Sequence, residues 1–431
     1  MNKDILRLAI PNIISNITVP LLGMVDMFIV GHLDSEYYIG AIALAAMIFN
    51  AIYWSFSFLR MGTSGFTAQA YGAKDWQEGT NILLRALMVA MAAGILIIIL
   101  QQAIAYIGFT LVDREPELKT FALTYFHIYI WAAPAILGMY AFNGWFIGMQ
   151  NAKTPMFISI GINVVNIGLS FIFVYGLGMQ IEGVALASVL AQYSGFLASL
   201  VICNIQYKNL KQYINLKILA NLQSFIPFFK VNSNIFIRTM ALVAVTTFFM
   251  SASAKLGNDI LSVNALMMQL FILFSFIMDG FAYAAEALTG KLIGAGKKSE
   301  LKVLVKRLFI WGGLIVVIFT LIYGVFIDQI FSFLTDKQNI VELSKEYQFW
   351  ALLIPVAGFS AFLWDGIFIG ATASRQMRNS MLIASASFFV IYFSFNTFFL
   401  NNILWFAFIV YLALRGIIQY FMAPTILNES R

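Results

Sequence analysis

Charge is scarce in this sequence. Of 431 residues only 11% are charged, whereas 61% are hydrophobic, and the mean hydropathy is +0.86. A soluble domain carries about 25% charged residues, so the composition excludes a soluble globular protein and describes a polytopic membrane protein. Cysteine is nearly absent. With Cys203 alone, neither a disulfide within the chain nor a Cys-rich metal site can form. Histidine is almost as rare: His32 and His127 are too few for a His-based metal cluster, and no HExxH or Gly-rich phosphate loop occurs. No metal and no cofactor are therefore expected. An intramembrane enzyme would need a nucleophile–base pair or metal ligands, and neither is found, so the chain is not read as an enzyme. The net charge of +6 is spread over loops and reads as membrane topology rather than nucleic-acid binding. No cleavable signal peptide is evident. The first apolar segment is long, and Met1-Asn2-Lys3-Asp4 reads as a short cytoplasmic tail.

What the chain does have is apolar runs, and about 20 such residues cross a bilayer. Polar breaks divide them into twelve predicted spans, near 5–32, 40–70, 80–108, 120–148, 155–177, 183–205, 225–254, 262–293, 302–327, 345–370, 377–399 and 403–426. The segment 206–224 carries Lys208, Lys211 and Lys217, is too polar to span, and reads as a cytoplasmic linker on the membrane surface. With the N-terminus inside, eighteen Lys and Arg fall on inner segments. Only Arg114, Lys119, Lys255, Lys337 and Lys345 fall on outer ones. The positive-inside rule then predicts both termini in the cytoplasm.

The two halves echo each other. Phe142-Asn143-Gly144-Trp145-Phe146-Ile147-Gly148 returns as Trp364-Asp365-Gly366-Ile367-Phe368-Ile369-Gly370, and Gly72-Ala73, Thr67 and Lys153 return as Gly294-Ala295, Thr289 and Arg375 at the same spacing of 222. An even number of spans per half makes such repeats parallel. The expected fold is all-α: twelve transmembrane helices in two parallel six-helix lobes, 1–205 and 225–431, related by a pseudo-two-fold axis along the membrane normal.

Four carboxylates sit well inside spans: Asp26, Asp279, Glu286 and Asp365. A charged side chain near the bilayer centre costs at least about 2.5–3.5 kcal/mol, so each is expected to face the bundle interior or water. Desolvation penalises the charged form of a carboxyl group. Asp26, deep in the first span, is accordingly a candidate proton-handling group; the plain alternative is a structural polar residue capped by its neighbours. Pro20, six residues earlier, removes a backbone donor and is a candidate hinge. Asn163, Asn166 and Ser170 share a side of span 5, and Ser188 and Gln192 lie four apart on span 6. These groups either tie helices together or line one polar pocket with Asp26. Asp279 and Glu286 lie two turns apart on span 8, and Arg238 on span 7 is their expected partner, either as a structural ion cluster or as a coupling or gating element. Asp365 occupies the repeat position of the neutral Asn143, which predicts different tasks for the two lobes.

Several stretches carry a family resemblance over essentially the whole length. They are Val25-Asp26 through Val30-Gly31-His32-Leu33, Gly183 to Ser188 (GVALAS), Asn232 to Thr239 (NSNIFIRT), Met278 to Leu288 (MDGFAYAAEAL), Asp365 to Thr372 (DGIFIGAT) and Met377 to Met381 (MRNSM). With these the chain resembles the multidrug and toxin extrusion (MATE) family, in the branch named for the DNA-damage-inducible protein F. The resemblance implies a V-shaped pair of six-helix lobes that exports amphipathic, often cationic compounds in exchange for H⁺ or Na⁺. It implies a protonation role for Asp26 and pocket roles for Asn166 and Ser188. Ser170 stands where some members carry a carboxylate, Asn234 where the branch commonly has an acid, and Arg238 where Na⁺-coupled relatives have a helix-7 carboxylate. The expectation is an H⁺-coupled efflux antiporter working by alternating access. It is expected to act as a monomer in the inner membrane of a prokaryote, with small amphipathic molecules and the bilayer as its partners. The alternatives are an Na⁺-coupled exporter, or a lipid-linked saccharide flippase of the same superfamily, which would need a larger, cationic cavity.

Overall fold

The computed structural model describes residues 1–33, 35, 37–110, 116–214 and 222–429. Part of the expected linker (215–221, with Lys217) and the topology markers Arg114 and Arg431 lie outside the described residues. The rest is helical, as the long apolar runs require. With no water at the bilayer centre, a helix satisfies its own backbone. In chain order the helices are α1 (Asn2–Val30), α2 (Tyr37–Ser55), α3 (Phe58–Ala73), α4 (Trp76–Ile99), α5 (Gln101–Thr110), α6 (Pro116–Tyr129), α7 (Ala133–Gly148), α8 (Lys153–Phe171) and α9 (Ile181–Gln206). The second half continues with α10 (Ile226–Lys255), α11 (Asn258–Gly294), α12 (Lys298–Leu334), α13 (Gln338–Lys345), α14 (Gln348–Gly370) and α15 (Ser374–Glu429).

Among the described residues, eleven helical runs are long and apolar enough to cross a membrane. Three of the spans expected from hydropathy are interrupted. Span 2 is split into α2 and α3, and span 3 into α4 and α5. Span 4 is split at a 3₁₀ turn, Ile130–Ala132, just before Pro134, whose ring cannot continue the helical ladder. The stretch expected at 377–399 is the first part of α15, which is two helices meeting at a kink at Leu400 (φ 44°, ψ −118°). At Pro20, by contrast, α1 runs on as continuous helix to Val30.

The residues pack into two compact units, Ile14–Phe228 and Met1–Ile13 with Phe229–Arg431. Each repeats the other's internal construction at the spacing of 222. In the first, a side chain at Gly144 would meet the Arg60 carbonyl and one at Gly148 would meet Thr67 and the Ser64 carbonyl; in the second, Gly366 meets the Ala282 carbonyl, and Gly370 meets Thr289 and the Glu286 carbonyl. Both pairs let one helix backbone approach another closely, α7 on α3 and α14 on α11. The helix ends repeat as well. Left-handed residues terminate helices at Lys74 and Gly296 and at Gln150 and Thr372. The hydrogen bonds that close those turns also match: Asp75 N to Ala70 O with Lys297 N to Leu292 O, and Asn151 N to Phe146 O with Ala373 N to Phe368 O.

Candidate functional site

In the unit Ile14–Phe228, Asp26 is half-buried on α1, and its Oδ1 is buried without a hydrogen-bond partner. Two tyrosines of α6, Tyr125 and Tyr129, are its electrostatic neighbours. They are four residues apart, so they share one face of that helix. Each lies near a residue expected in the pocket: Tyr125 near Ser188 and Tyr129 near Gln192, both on α9. Asn166 Nδ2 on α8 then donates to Ser188 Oγ at 2.8 Å, fully buried. Asp26, Ser188, Gln192 and Asn166 are thus gathered around two tyrosines. Around them Tyr53 interacts with Tyr125, Tyr129, Tyr140 and Tyr193, and Phe49 sets its edge on Tyr129 with ring centroids 4.8 Å apart. The Asp26 carboxylate thus lies beside an aromatic cluster.

The other two expected pocket residues behave differently. Asn163 Nδ2 donates to the Thr18 carbonyl on α1 at 2.9 Å, two residues before Pro20, so it braces α1 against α8. Ser170 is fully buried and its hydroxyl has no partner; α8 gives way to one π turn, Ile172–Gly176, immediately after it. Asn166 Oδ1 and the Tyr53 hydroxyl are likewise buried and unpaired. Buried polar atoms ordinarily find partners, so this cluster has spare hydrogen-bonding capacity for water or cargo.

The charged cluster of the other unit differs from the expected one. Arg238 on α10 pairs with Asp365, and neither Asp279 nor Glu286 takes that place. Asp365 also receives Arg415 Nη2 on Oδ2 at 2.7 Å and Gln419 Nε2 on Oδ1 at 2.5 Å, both from α15. The cause is the helix packing. Gly366 and Gly370 hold α14 against α11, and Asp365 is reached by Arg238 of α10 and by Arg415 and Gln419 of α15. Asp279 is half-buried and Glu286 fully buried on α11, and neither is a free carboxylate. A second network was also absent from the sequence reading. Asn264 bonds Ser253 Oγ and Asn401 Oδ1, both at 2.7 Å, and accepts from Trp405 Nε1 at 2.8 Å.

The missed residues carried faint signals. Arg415 and Gln419 are a polar pair four apart within an apolar run, the same cue used for Ser188 and Gln192. Tyr125 and Tyr129 have that spacing too, but among 18 tyrosines and 42 phenylalanines they do not stand out.

Comparison with known proteins matches this architecture. The MatE family model matches residues 11–172 and 235–398, one segment in each half. The chain is 36% identical over 419 residues to DNA damage-inducible protein F of Escherichia coli (strain K12), covering 96% of this chain and 90% of that protein. A crystal structure of MATE in the bent conformation superposes with a TM-score of 0.89, at 18% identity, over 100% of this chain and 96% of the other. The outward-facing conformation of a multidrug resistance MATE family transporter of the MOP superfamily gives 0.81 at 19% identity, over 99% and 96%. These two show the fold. The chain belongs to the multidrug and toxin extrusion family of membrane transporters. Within that family it is similar to DNA damage-inducible protein F; it is a multi-pass efflux transporter of small molecules and not an enzyme.

Proposed function

We propose that the protein exports amphipathic cations in exchange for H⁺, with Asp26 as the group that alternately holds a proton and attracts cargo. The observation that carries this reading is the contrast between two intramembrane carboxylates. Asp26 has a buried oxygen with no hydrogen-bond partner, beside Tyr125 and Tyr129. Asp365 is occupied by two guanidiniums and an amide. A carboxylate already paired with two cations is a poor site for a third, whether Na⁺ or cargo; a carboxylate among aromatic faces suits a flat cation, through charge and through cation–π attraction. Protonation from the outside would release the cation, and deprotonation to the inside would restore the anion. The two ligands therefore exclude each other. In this reading the transporter works as a monomer in a prokaryotic inner membrane, with both termini in the cytoplasm. The two units serve as its lobes, Asn163 steadies α1 beside Pro20, and the Arg238–Asp365–Arg415 cluster holds one lobe rigid.

The test is export of cationic dyes from proteoliposomes under an imposed pH gradient or an imposed Na⁺ gradient. The expected result is export with the pH gradient alone, abolished by Asp26→Asn at unchanged thermal midpoint. Export driven by Na⁺, or kept by Asp26→Asn with an unchanged pH dependence, overturns the assignment. Saccharide-lipid transfer without either gradient would favour the flippase.

A further inference from the structure

A groove of about 440 Å³ lies between the start of α12, the end of α14 and the end of α15. Its volume is within the range of small-molecule sites. On α12 the lining residues Lys302, Val305, Lys306 and Phe309 form a stripe at helical spacing, with the lysines towards the helix start. Trp364 forms the floor, its ring centroid 5.2 Å from that of Phe309 and 6.4 Å from that of Tyr420. Tyr420 and Phe421, 63% and 75% exposed, stand on the open side. The groove is apolar and aromatic along its length and cationic at one end.

One polar atom of a lining residue has no partner. Trp364 is 3% exposed, and its indole N–H is buried with no acceptor. Other tryptophans have theirs: Trp145 donates to the Gly79 carbonyl, Trp350 to Asn402 and Trp405 to Asn264. An unmet buried donor costs free energy comparable to a lost hydrogen bond, so an acceptor that reached Trp364 would be favoured. Whatever fills it needs an acceptor within the apolar portion, an aliphatic body, and a negative charge beside two lysines.

We propose that this groove is a binding site for an anionic glycerophospholipid. The phosphate would pair with Lys302 and Lys306, an ester carbonyl would accept from Trp364, and an acyl chain would lie along Phe309, Tyr420 and Phe421. Basic pockets between membrane helices at the headgroup level are suited to such lipids. Aromatic rings at that level suit the boundary between headgroup and chain. The site is separate from the Asp26 cluster, which belongs to the other unit.

The experiment is native mass spectrometry of the purified full-length protein, titrated with dioleoyl phosphatidylglycerol or dioleoyl phosphatidylcholine. Wild type is expected to retain phosphatidylglycerol at least about tenfold more tightly, since each lysine near a headgroup adds to the attraction. The double variant Lys302→Gln/Lys306→Gln should lose that preference, and Lys208→Gln/Lys211→Gln should keep it. Trp364→Phe should weaken both lipids by about threefold through loss of one hydrogen bond. Equal binding of the two lipids by wild type overturns the proposal. So does a preference that survives in the Lys302/Lys306 variant, or one lost equally in the Lys208/Lys211 variant. Both substituted pairs are exposed, and an unchanged thermal midpoint without lipid confirms that the fold is intact.

Discussion

At the scale of single residues, a carboxylate is useful only if its partners leave it something to do. Asp26 and Asp365 are both aspartates within apolar helices, yet one keeps an unpaired oxygen and the other is fully engaged. If a proton and a cation compete for Asp26, the apparent affinity for the cation weakens as pH falls through its titration. The slope approaches about tenfold per pH unit on the acid side. Dye affinity measured in detergent from about pH 5 to 9 is expected to bend in this way for wild type and to be flat for Asp26→Asn. A flat wild-type curve would remove the linked titration from this residue. Asp26, Asn166, Ser188 and Gln192 were legible from sequence because a polar side chain in an apolar run is conspicuous. Tyr125 and Tyr129 were not, because a tyrosine ring suits lipid, helix packing and a pocket equally well. Only the fold shows which tyrosines turn towards the acid.

At the scale of helices, what joins the elements is a mixture of close backbone approach and buried charge. The glycine contacts of α7 on α3 and α14 on α11 were foreshadowed by the sequence repeat, since a pattern such as Gly144–Gly148 and Gly366–Gly370 marks one side of a helix. The partner of Arg238 was not. The tendency of buried charges to pair does not choose between carboxylates; a buried ion pair is decided by which helix faces which, and that is a property of the packed bundle. The resulting cluster has an unequal count: two guanidiniums on one carboxylate. Asp365→Asn strands both cations and is expected to destabilise the protein by about 3–5 kcal/mol. Arg415→Met leaves a one-to-one pair with Arg238 in a similar volume and should cost far less. Thermal midpoints in detergent that rank the two variants in the opposite order would reject a clamp centred on Asp365.

At the scale of the whole molecule, hydropathy was sufficient for the class of fold, because spanning a bilayer sets the apolar length that each crossing needs. It missed the breaks within spans 2, 3 and 4, whereas the boundary expected between 399 and 403, at the polar pair Asn401-Asn402, coincides with the kink at Leu400. Orientation can be checked directly, and the near absence of cysteine makes this simple. In a Cys203→Ser background, Lys298→Cys should react with a membrane-impermeant maleimide only from the cytoplasmic side, and Lys337→Cys only from outside. The reverse pattern would invert the proposed topology.

The ion cluster also has a consequence in time. Arg238 is made 127 residues before the Asp365 that neutralises it, and Asp365 precedes Arg415 by a further 50. At about 5–20 residues per second the first gap lasts roughly 6–25 s. Throughout it a guanidinium bound for the membrane interior has no counter-charge from its own cluster, and insertion of such a group alone is costly. Arg238 gains its counter-charge only once α14 has been synthesised, so premature termination before Asp365 leaves a buried cation unpaired, a defect that quality control can recognise.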